Sequence, residues 1–484
     1  KEACSKRGIK FGFYYSHAFD WEHPDAPGND WEYDNPGGDQ NLYANPGELW
    51  FTSHPERIAK AARYVDEKAI PQILELIETY HPDLMWFDTP HKLPTSENLR
   101  ILQAIREADS TILVNSRIIN APDKSFREFA DYLNTADRPA EIYPTDGEWE
   151  AIPTTNESYG YSLYDHSHKP ASHFIQLLAK IAARGGNMLM NIGPKGDGSF
   201  DAPDSAILRK IGDWMRWGGE SIYGTSRTPL SPQSWGETTL RDNTLYCHVF
   251  HLPADGRLIL GGLGNAVKRA VLLSTGEELP CRRLNFFDHE ILLPKQGLDL
   301  ADTVVRITFD GELCAKHGFL VLPSQSIHLR AFDAEISANL RYGDGKRGND
   351  FLWNWAGDAE YAAWKLRLPQ AMTLQATVRY LALHSENLSA TSNMRACHDA
   401  GGQYLLFAGK EKSCSEVHLS KDQKTPTKDT FTISLPAGET TLLLRAAQVT
   451  GRELFKLYGV TLTPQSAVTP DGATLEFDLT DTGD

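Results

Sequence analysis

Thr225 separates two kinds of hydrophobic pattern in this chain, and the first of them leaves few folds open. Between residues 8 and 226, strand-like apolar runs alternate with stretches whose apolar residues recur every three or four positions, the signature of a parallel sheet wrapped by helices. Ile70, Ile73, Leu74 and Ile77 mark one helix face, with Pro71 expected in a first turn, where a missing N–H is tolerated. The run Leu84-Met85-Trp86-Phe87-Asp88 reads as a strand. A helix from about Ser96, which suits an N-cap, to Glu107 then feeds a second strand, Thr111 to Arg117. Phe174, Leu177, Leu178 and Ile181 form another helical face, stopped by Gly185-Gly186. Asn187 to Ile192 follows as a strand, and a last helix covers about 203 to 217. Three of these strands end in, or lead to, polar residues: Asp88, Asn115 with Arg117, and Asn191. A (β/α)8-type barrel places its chemistry at that end of its strands, so the expected fold of 1–226 is an α/β barrel domain.

Beyond Thr225 the runs are short and alternate with period two, as in Thr244 to Phe250 and Val304 to Phe309, with Gly, Pro, Asp and Asn turns between them. This predicts a β-sandwich over 227–331 and a second all-β module over 332–484, possible strands being 366–368, 374–378 and 441–445. Trp353, Trp355, Tyr361 and Trp364 in that last module suit either a core or a carbohydrate-stacking platform, with the core favoured. The tail after Thr463 is polar and expected to fray.

Charge narrows the partners. With 48 Lys+Arg against 64 Asp+Glu, the net charge of −16 repels a phosphate backbone or an anionic membrane surface, so neither nucleic acid nor a membrane is expected as a partner. No run approaches the roughly 18 apolar residues of a membrane span. The six cysteines lack the paired spacing of a zinc site, and Asp165-His166-Ser167-His168 with His173 sits ahead of a helix as a weak metal candidate; no metal or cofactor is expected. Gly193 to Gly198 lacks the Gly-Lys-Ser/Thr ending of a phosphate loop.

Six short runs in the first half, in this order, together resemble the α-L-fucosidases of glycoside hydrolase family 29. They are Phe11-Gly12-Phe13-Tyr14-Tyr15-Ser16 with Asp20-Trp21; Tyr80 to Asp88; Val114-Asn115-Ser116-Arg117; Trp149-Glu150 with Ser158-Tyr159-Gly160-Tyr161; Gly185 to Pro194 with Asp197-Gly198; and Gly219 to Gly224. The residue types suit glycoside chemistry on their own terms, since cleavage through an oxocarbenium-like transition state uses two carboxyl groups, one at the anomeric carbon and one to protonate the leaving oxygen. The resemblance implies that Asp88 is the nucleophile and that Trp86, which strand alternation turns to the same side, lines the sugar site. It implies an acid/base on a variable loop, where Asp131-Tyr132-Leu133-Asn134-Thr135-Ala136-Asp137 is the nearest match. Asp137 is the first choice there, with Glu150 and Glu141 as alternatives. Arg117 resembles the family's sugar-binding Arg, and Tyr14 and Tyr159 its lining residues, with Tyr15 competing with Tyr14.

The expected activity is therefore that of a retaining exo-α-L-fucosidase acting on a fucosylated glycan or polysaccharide, secreted or periplasmic. An α-L-galactosidase on the same scaffold and a non-catalytic carbohydrate-binding protein are the other readings. The family's earlier strands and their His-His-Asp-Gly-Phe-like run have no counterpart here, and a complete barrel takes about 250 residues. The expectation is a portion of a longer enzyme, whose open sheet edges favour poor solubility or dimerisation. Oligomeric state is not legible.

Overall fold

The computed structural model describes residues 1–26, 55–119, 126–383 and 399–465. Most of the long loop 22–54, and the polar tail from residue 466, lie outside them. The chain is a mixed α/β segment followed by mainly antiparallel β-sheets, and it separates into two units, Lys1–Thr135 with Asp146–Glu150 and Ala136–Thr145 with Ala151–Asp484.

In the first unit three parallel strands run in the order β1 (Gly12–Tyr15), β2 (Leu84–Phe87), β3 (Leu113–Val114). A parallel bridge between Asn115 and Tyr132 carries the order on to the strand β4 (Leu133–Asp137), and Leu133 N–H donates to Glu148 C=O beside the start of β5 (Trp149–Ile152). β1 approaches β2 closely, and a Cβ on Gly12 would stand 2.6 Å from the Leu84 carbonyl oxygen. Met85 and Phe87 are buried in a core shared with Tyr64, Val65, Ile73, Ile77, Ile101, Ile105 and Val114.

Local chemistry moved several element boundaries. Pro71 stands in the first turn of the helix Ile70–Tyr80, as expected, but that helix does not start afresh: Glu56–Tyr64 runs into a π-helical segment, Val65–Ala69, and on into it. Pro71 has no N–H to bond back along the helix, and the wider turn ahead of it, in which Ile70 N–H reaches Val65 C=O, accommodates that gap. The next helix is Thr95–Ala108 after Pro94, with no side-chain cap, so Ser96 is not an N-cap. The expected strand 111–117 is regular only over Leu113–Val114 and then turns into a 3-10 segment, Ser116–Ile118. The side chain of Asn115 takes both backbone groups of Phe87, accepting its N–H at 2.7 Å and donating to its C=O at 2.9 Å, in place of ladder bonds.

In the second unit, Ala151–Pro153 runs beside 189–191: Leu189 N–H donates to Ala151 C=O, and Thr154 and Asn191 form a parallel bridge. Helix Ala171–Ala183 connects these two segments and Ala202–Gly218 follows them, capped by the Asp201 carboxylate on Ala202 N–H. A five-stranded antiparallel sheet in the order 267–272, 303–309, 244–249, 236–241, 226–227 and a three-stranded one made of 257–261, 288–292 and 281–283 share a core of Leu245, Cys247, Leu258, Leu260, Ile291 and Val305. Tyr246 and Val304, on the other face of the larger sheet, pack against Ile175 and Trp214 of the two helices. That second cover is why Leu245–Val249 is buried on both faces rather than alternating. Two further sheets, whose longest strands include Tyr361–Leu368, Met372–Leu381 and Gly438–Val449, enclose the largest core, which takes in Phe319, Val321, Ile327 and Leu329. Trp355 and Trp364 lie in that core, while Trp353 and Tyr361 are half-buried.

Among the described residues no helix is long and apolar enough to cross a membrane, and no group of three or more His, Cys, Asp or Glu could hold a metal ion. Asp165 is engaged by Ser158 and Ser167, and His168 lies 3.4 Å from Asp204.

Candidate active site

The polar ends of the parallel strands in the first unit converge on two carboxyl groups. Asp88 directly follows β2, and its carboxylate accepts three hydrogen bonds: Arg117 Nη1 at 3.0 Å and Thr89 N–H at 2.9 Å on Oδ1, and Tyr14 Oη at 3.1 Å on Oδ2. Thr89 has φ of 56°, a left-handed backbone that a β-branched residue adopts only under constraint. Its hydroxyl donates to the Asp88 carbonyl at 2.7 Å.

Trp86 sits between the two carboxyls. In the β1–β2 register it lies opposite Tyr14, and the two rings stack with centroids 5.5 Å apart and planes 23° from parallel. Arg117 holds its guanidinium 5.2 Å from the Trp86 ring centroid while it binds Asp88 and donates to the Thr135 carbonyl. The indole N–H points the other way, donating to Glu150 Oε1 at 2.9 Å. Asn134 Nδ2 donates to the same oxygen at 2.8 Å. Burial pushes the Glu150 carboxyl above its usual range, and the hydrogen bonds from Trp86 and Asn134 and the charge of Arg117 only partly offset it. Tyr14 is raised to about 12, by burial first and then by the Asp88 charge, so its hydroxyl is a donor at neutral pH.

Of the sequence-derived candidates, Asp88, Trp86, Arg117, Tyr14 and Glu150 are brought together in this unit. Tyr15 faces the opposite side of β1, donating to Gln72 and packing against the core, so the aromatic on the Trp86 side is Tyr14. Asp137 and Glu141 belong to the second unit. Asp137 closes β4 and is half-buried. Glu141 is paired with Lys180 and with Arg330, the latter at 3.2 Å. Burial would raise its carboxyl, but those two cations outweigh it and hold Glu141 below the ordinary carboxylate range, the opposite of what a proton donor needs. Tyr159, also in the second unit, spends its hydroxyl on the backbone, accepting from Arg138 N–H at 2.9 Å and donating to Ile152 C=O at 3.0 Å, with the Arg138 guanidinium 5.5 Å from its ring centroid. Sequence reasoning missed Asn134, which lies inside the Asp131–Asp137 run and whose amide reaches Glu150. An amide in a half-buried strand was the only signal for it.

Residues 1–220 match the α-L-fucosidase family model. Among curated proteins, the α-L-fucosidase of Dictyostelium discoideum is 32% identical over 226 residues, covering 43% of this chain and 47% of that protein. The chain spans about half the length of the curated relatives it matches. Among solved structures, an α-L-fucosidase from Vibrio sp. strain EJY3 superposes with a TM-score of 0.68 at 22% identity, over 96% of this chain and 78% of that one, a likeness of fold that extends through the β-sheets. The α-L-fucosidase isoenzyme 1 from Paenibacillus thiaminolyticus gives a TM-score of 0.54 at 27% identity, covering 64% of this chain and 74% of that one. The match over residues 1–220 is to the same α-L-fucosidases that the six motifs resemble.

Proposed function

We propose that this protein hydrolyses terminal α-L-fucose from glycans by double displacement, on a (β/α)8-type barrel to which residues 1–226 contribute, with β-sandwich domains over 227–331 and 332–484. The observation that carries the reading is the single indole between two carboxyl groups: Trp86 stacks under Arg117, which holds Asp88, and donates its N–H to Glu150. Asp88 attacks the anomeric carbon as the glycosidic C–O bond breaks, and the leaving oxygen takes a proton from Glu150. Glu150 then removes a proton from water, which attacks the same carbon and releases Asp88, so two inversions give net retention. Glu150 takes the acid/base role in preference to Asp137 and Glu141, because its carboxyl shares Trp86 with the Asp88 cluster and is raised by burial towards a protonated resting state. Retention requires the Asp88 and Glu150 carboxyls to stand about 5–5.5 Å apart with substrate bound. The Trp86 and Tyr14 rings offer an apolar wall to a sugar face, and Arg117 binds hydroxyls. A secreted or periplasmic location fits a glycan-degrading enzyme.

The test is release of p-nitrophenol from p-nitrophenyl α-L-fucoside by the wild type and by Asp88→Ala, Glu150→Gln and Asp137→Asn. The reading expects turnover by the wild type, none above background in Asp88→Ala, a loss of about a hundredfold or more in Glu150→Gln, and a smaller loss in Asp137→Asn. Turnover of the L-galactoside but not the fucoside would move the substrate. Glycan binding without turnover of either would make the protein a carbohydrate-binding one.

A further inference from the structure

Glu150 uses one oxygen twice. Oε1 accepts from both Trp86 Nε1 and Asn134 Nδ2, which leaves Oε2 as the oxygen able to carry a transferable proton. The Trp86 donor is fixed by its ring, but Asn134 would serve equally well turned over, with its carbonyl oxygen facing Glu150 and favouring the protonated carboxyl. A second amide decides which way it points. Asn115 is fully buried, and its own orientation is dictated by backbone: Oδ1 accepts Phe87 N–H at 2.7 Å and Nδ2 donates to Phe87 C=O at 2.9 Å. With Nδ2 so placed, its other hydrogen goes to Asn134 Oδ1 at 2.7 Å, and Asn134 Nδ2 is left aimed at Glu150. Ser116 Oγ accepts Asn134 N–H at 3.0 Å and holds that residue's backbone. The relay starts at Phe87, the residue before Asp88.

We infer that Asn115 and Asn134 are positioning residues that tie the strand bearing Asp88 to the Oε1 atom of Glu150, fixing a donor there and reserving Oε2 for proton transfer. The inference rests on the reading of Glu150 as the acid/base. Among the described residues of the first unit, the other groups that bear on Glu150 are Arg117, whose charge lowers it, and Tyr132. The Tyr132 hydroxyl is buried with no hydrogen-bond partner among the described residues and is pushed up by burial and then by the Glu150 charge, so it stays protonated.

Three variants separate this relay from ordinary packing. Asn134→Ala removes a donor to the carboxylate, so the alkaline limb of the pH dependence of kcat/KM on p-nitrophenyl α-L-fucoside moves up by roughly one unit, a tenfold change in the proton equilibrium. Asn115→Asp keeps the shape but cannot donate to Asn134 Oδ1; the Asn134 amide turns over and the limb moves up at least as far. In the double variant Asn115→Asp/Asn134→Ala, the shift equals that of Asn134→Ala alone, because Asn115 acts only through Asn134. Asn134→Ala carries the test should a buried Asp at 115 prevent folding. A lower kcat with the limb left within about 0.2 unit of the wild type in Asn134→Ala overturns the relay, as do additive shifts in the double variant. Glu150→Gln run on α-L-fucosyl fluoride, whose leaving group needs no acid, distinguishes the two failures. If kcat/KM, which reports formation of the glycosyl-enzyme alone, falls as much on the fluoride as on the aryl glycoside, Glu150 is not the acid; if it is retained on the fluoride while Asn134→Ala leaves the limb unmoved, the relay alone is wrong.

Discussion

Replacing Arg330 by Met should destabilise the second unit by about 3 kcal/mol, most of it from charges left behind rather than from a contact removed. Arg330 donates to Asp333 at 2.6 and 3.2 Å, to Glu237 at 3.0 Å and to Glu141 at 3.2 Å. Lys180 pairs with Glu141, and Arg184 reaches Glu237 and Asp333 at 3.2 Å each, so three carboxylates balance three cations. Removing Arg330 leaves that cluster with one uncompensated negative charge, and the Glu237 and Asp333 side chains are only 8% and 6% exposed. Breaking a buried pair by deleting one partner costs about 3–5 kcal/mol. A cleft of about 330 Å3 beside the cluster lets water soften the loss, which favours the lower end. Met fills the volume of the Arg stem, so little of the effect is packing. At an unfolding entropy of about 2.1 cal/mol/K per residue, a unit of 344 residues shifts by about 1.4 °C per kcal/mol, so the midpoint of thermal unfolding should fall by roughly 4 °C at neutral pH. The sign with pH is fixed by two carboxyls. Burial would raise Glu141 and Asp333, but Arg330, with Lys180 on the first and Arg184 on the second, holds both below their ordinary range. Their contribution is therefore present above the unfolded values near 4 and is lost as pH falls through the lower folded values. The gap between wild type and variant should be widest from about pH 6 to 8 and narrow towards pH 3. Calorimetry across that range is the assay. A loss under about 1 kcal/mol at pH 7, or a gap that widens in acid, would refute the reasoning.

Four smaller perturbations test other parts of the account. Asp201→Ala removes the carboxylate that caps Ala202–Gly218 and should cost about 1 kcal/mol in chemical denaturation, with no change in KM for aryl fucoside. Trp86→Phe keeps a ring against Tyr14 but removes the N–H on Glu150 Oε1, so it should shift the alkaline limb of kcat/KM upward, as Asn134→Ala does, and raise KM as well; an unchanged limb would show that the indole N–H does not tune Glu150. Ile73→Ala, in the fully buried core beneath the sheet, should cost about 2–5 kcal/mol in urea unfolding, whereas Leu99→Ala, at an exposed position, should stay within about 0.5.

The sequence spoke most clearly where a single periodicity met a single environment. Ile70, Ile73 and Ile77 marked a helix face because that helix has one buried side, and Leu84 to Phe87 read as a strand because a parallel strand buried on both faces is apolar throughout. Asp88 and Trp86 could be picked out because a strand end and strand alternation place side chains by local rules, whereas Arg117 and Tyr14 came from the family resemblance, which left Tyr15 open beside Tyr14. What could not be read needed partners distant in the chain. Arg330 lies 189 residues from Glu141, and nothing local to either reveals that Glu141 is spent on an ion pair. The early end of the strand after Val114 depends on one side chain, Asn115, binding the backbone of Phe87. The motif resemblance put Asp137 first among three acid/base candidates, and the environment on which the proposal for Glu150 rests was hidden from it, being assembled from Trp86 and Asn134, 64 and 16 residues away.

The central claim is that Asp88 forms a covalent bond to the anomeric carbon of fucose. Incubating the protein with 2-deoxy-2-fluoro-α-L-fucosyl fluoride, in which the fluorine slows breakdown of the glycosyl-enzyme, and measuring intact and peptide masses tests it directly. The account predicts a stoichiometric gain of one 2-fluorofucosyl group on the peptide carrying Asp88, absent in Asp88→Ala. Fluoride release without an adduct at Asp88, or an adduct on any other carboxylate, would contradict it.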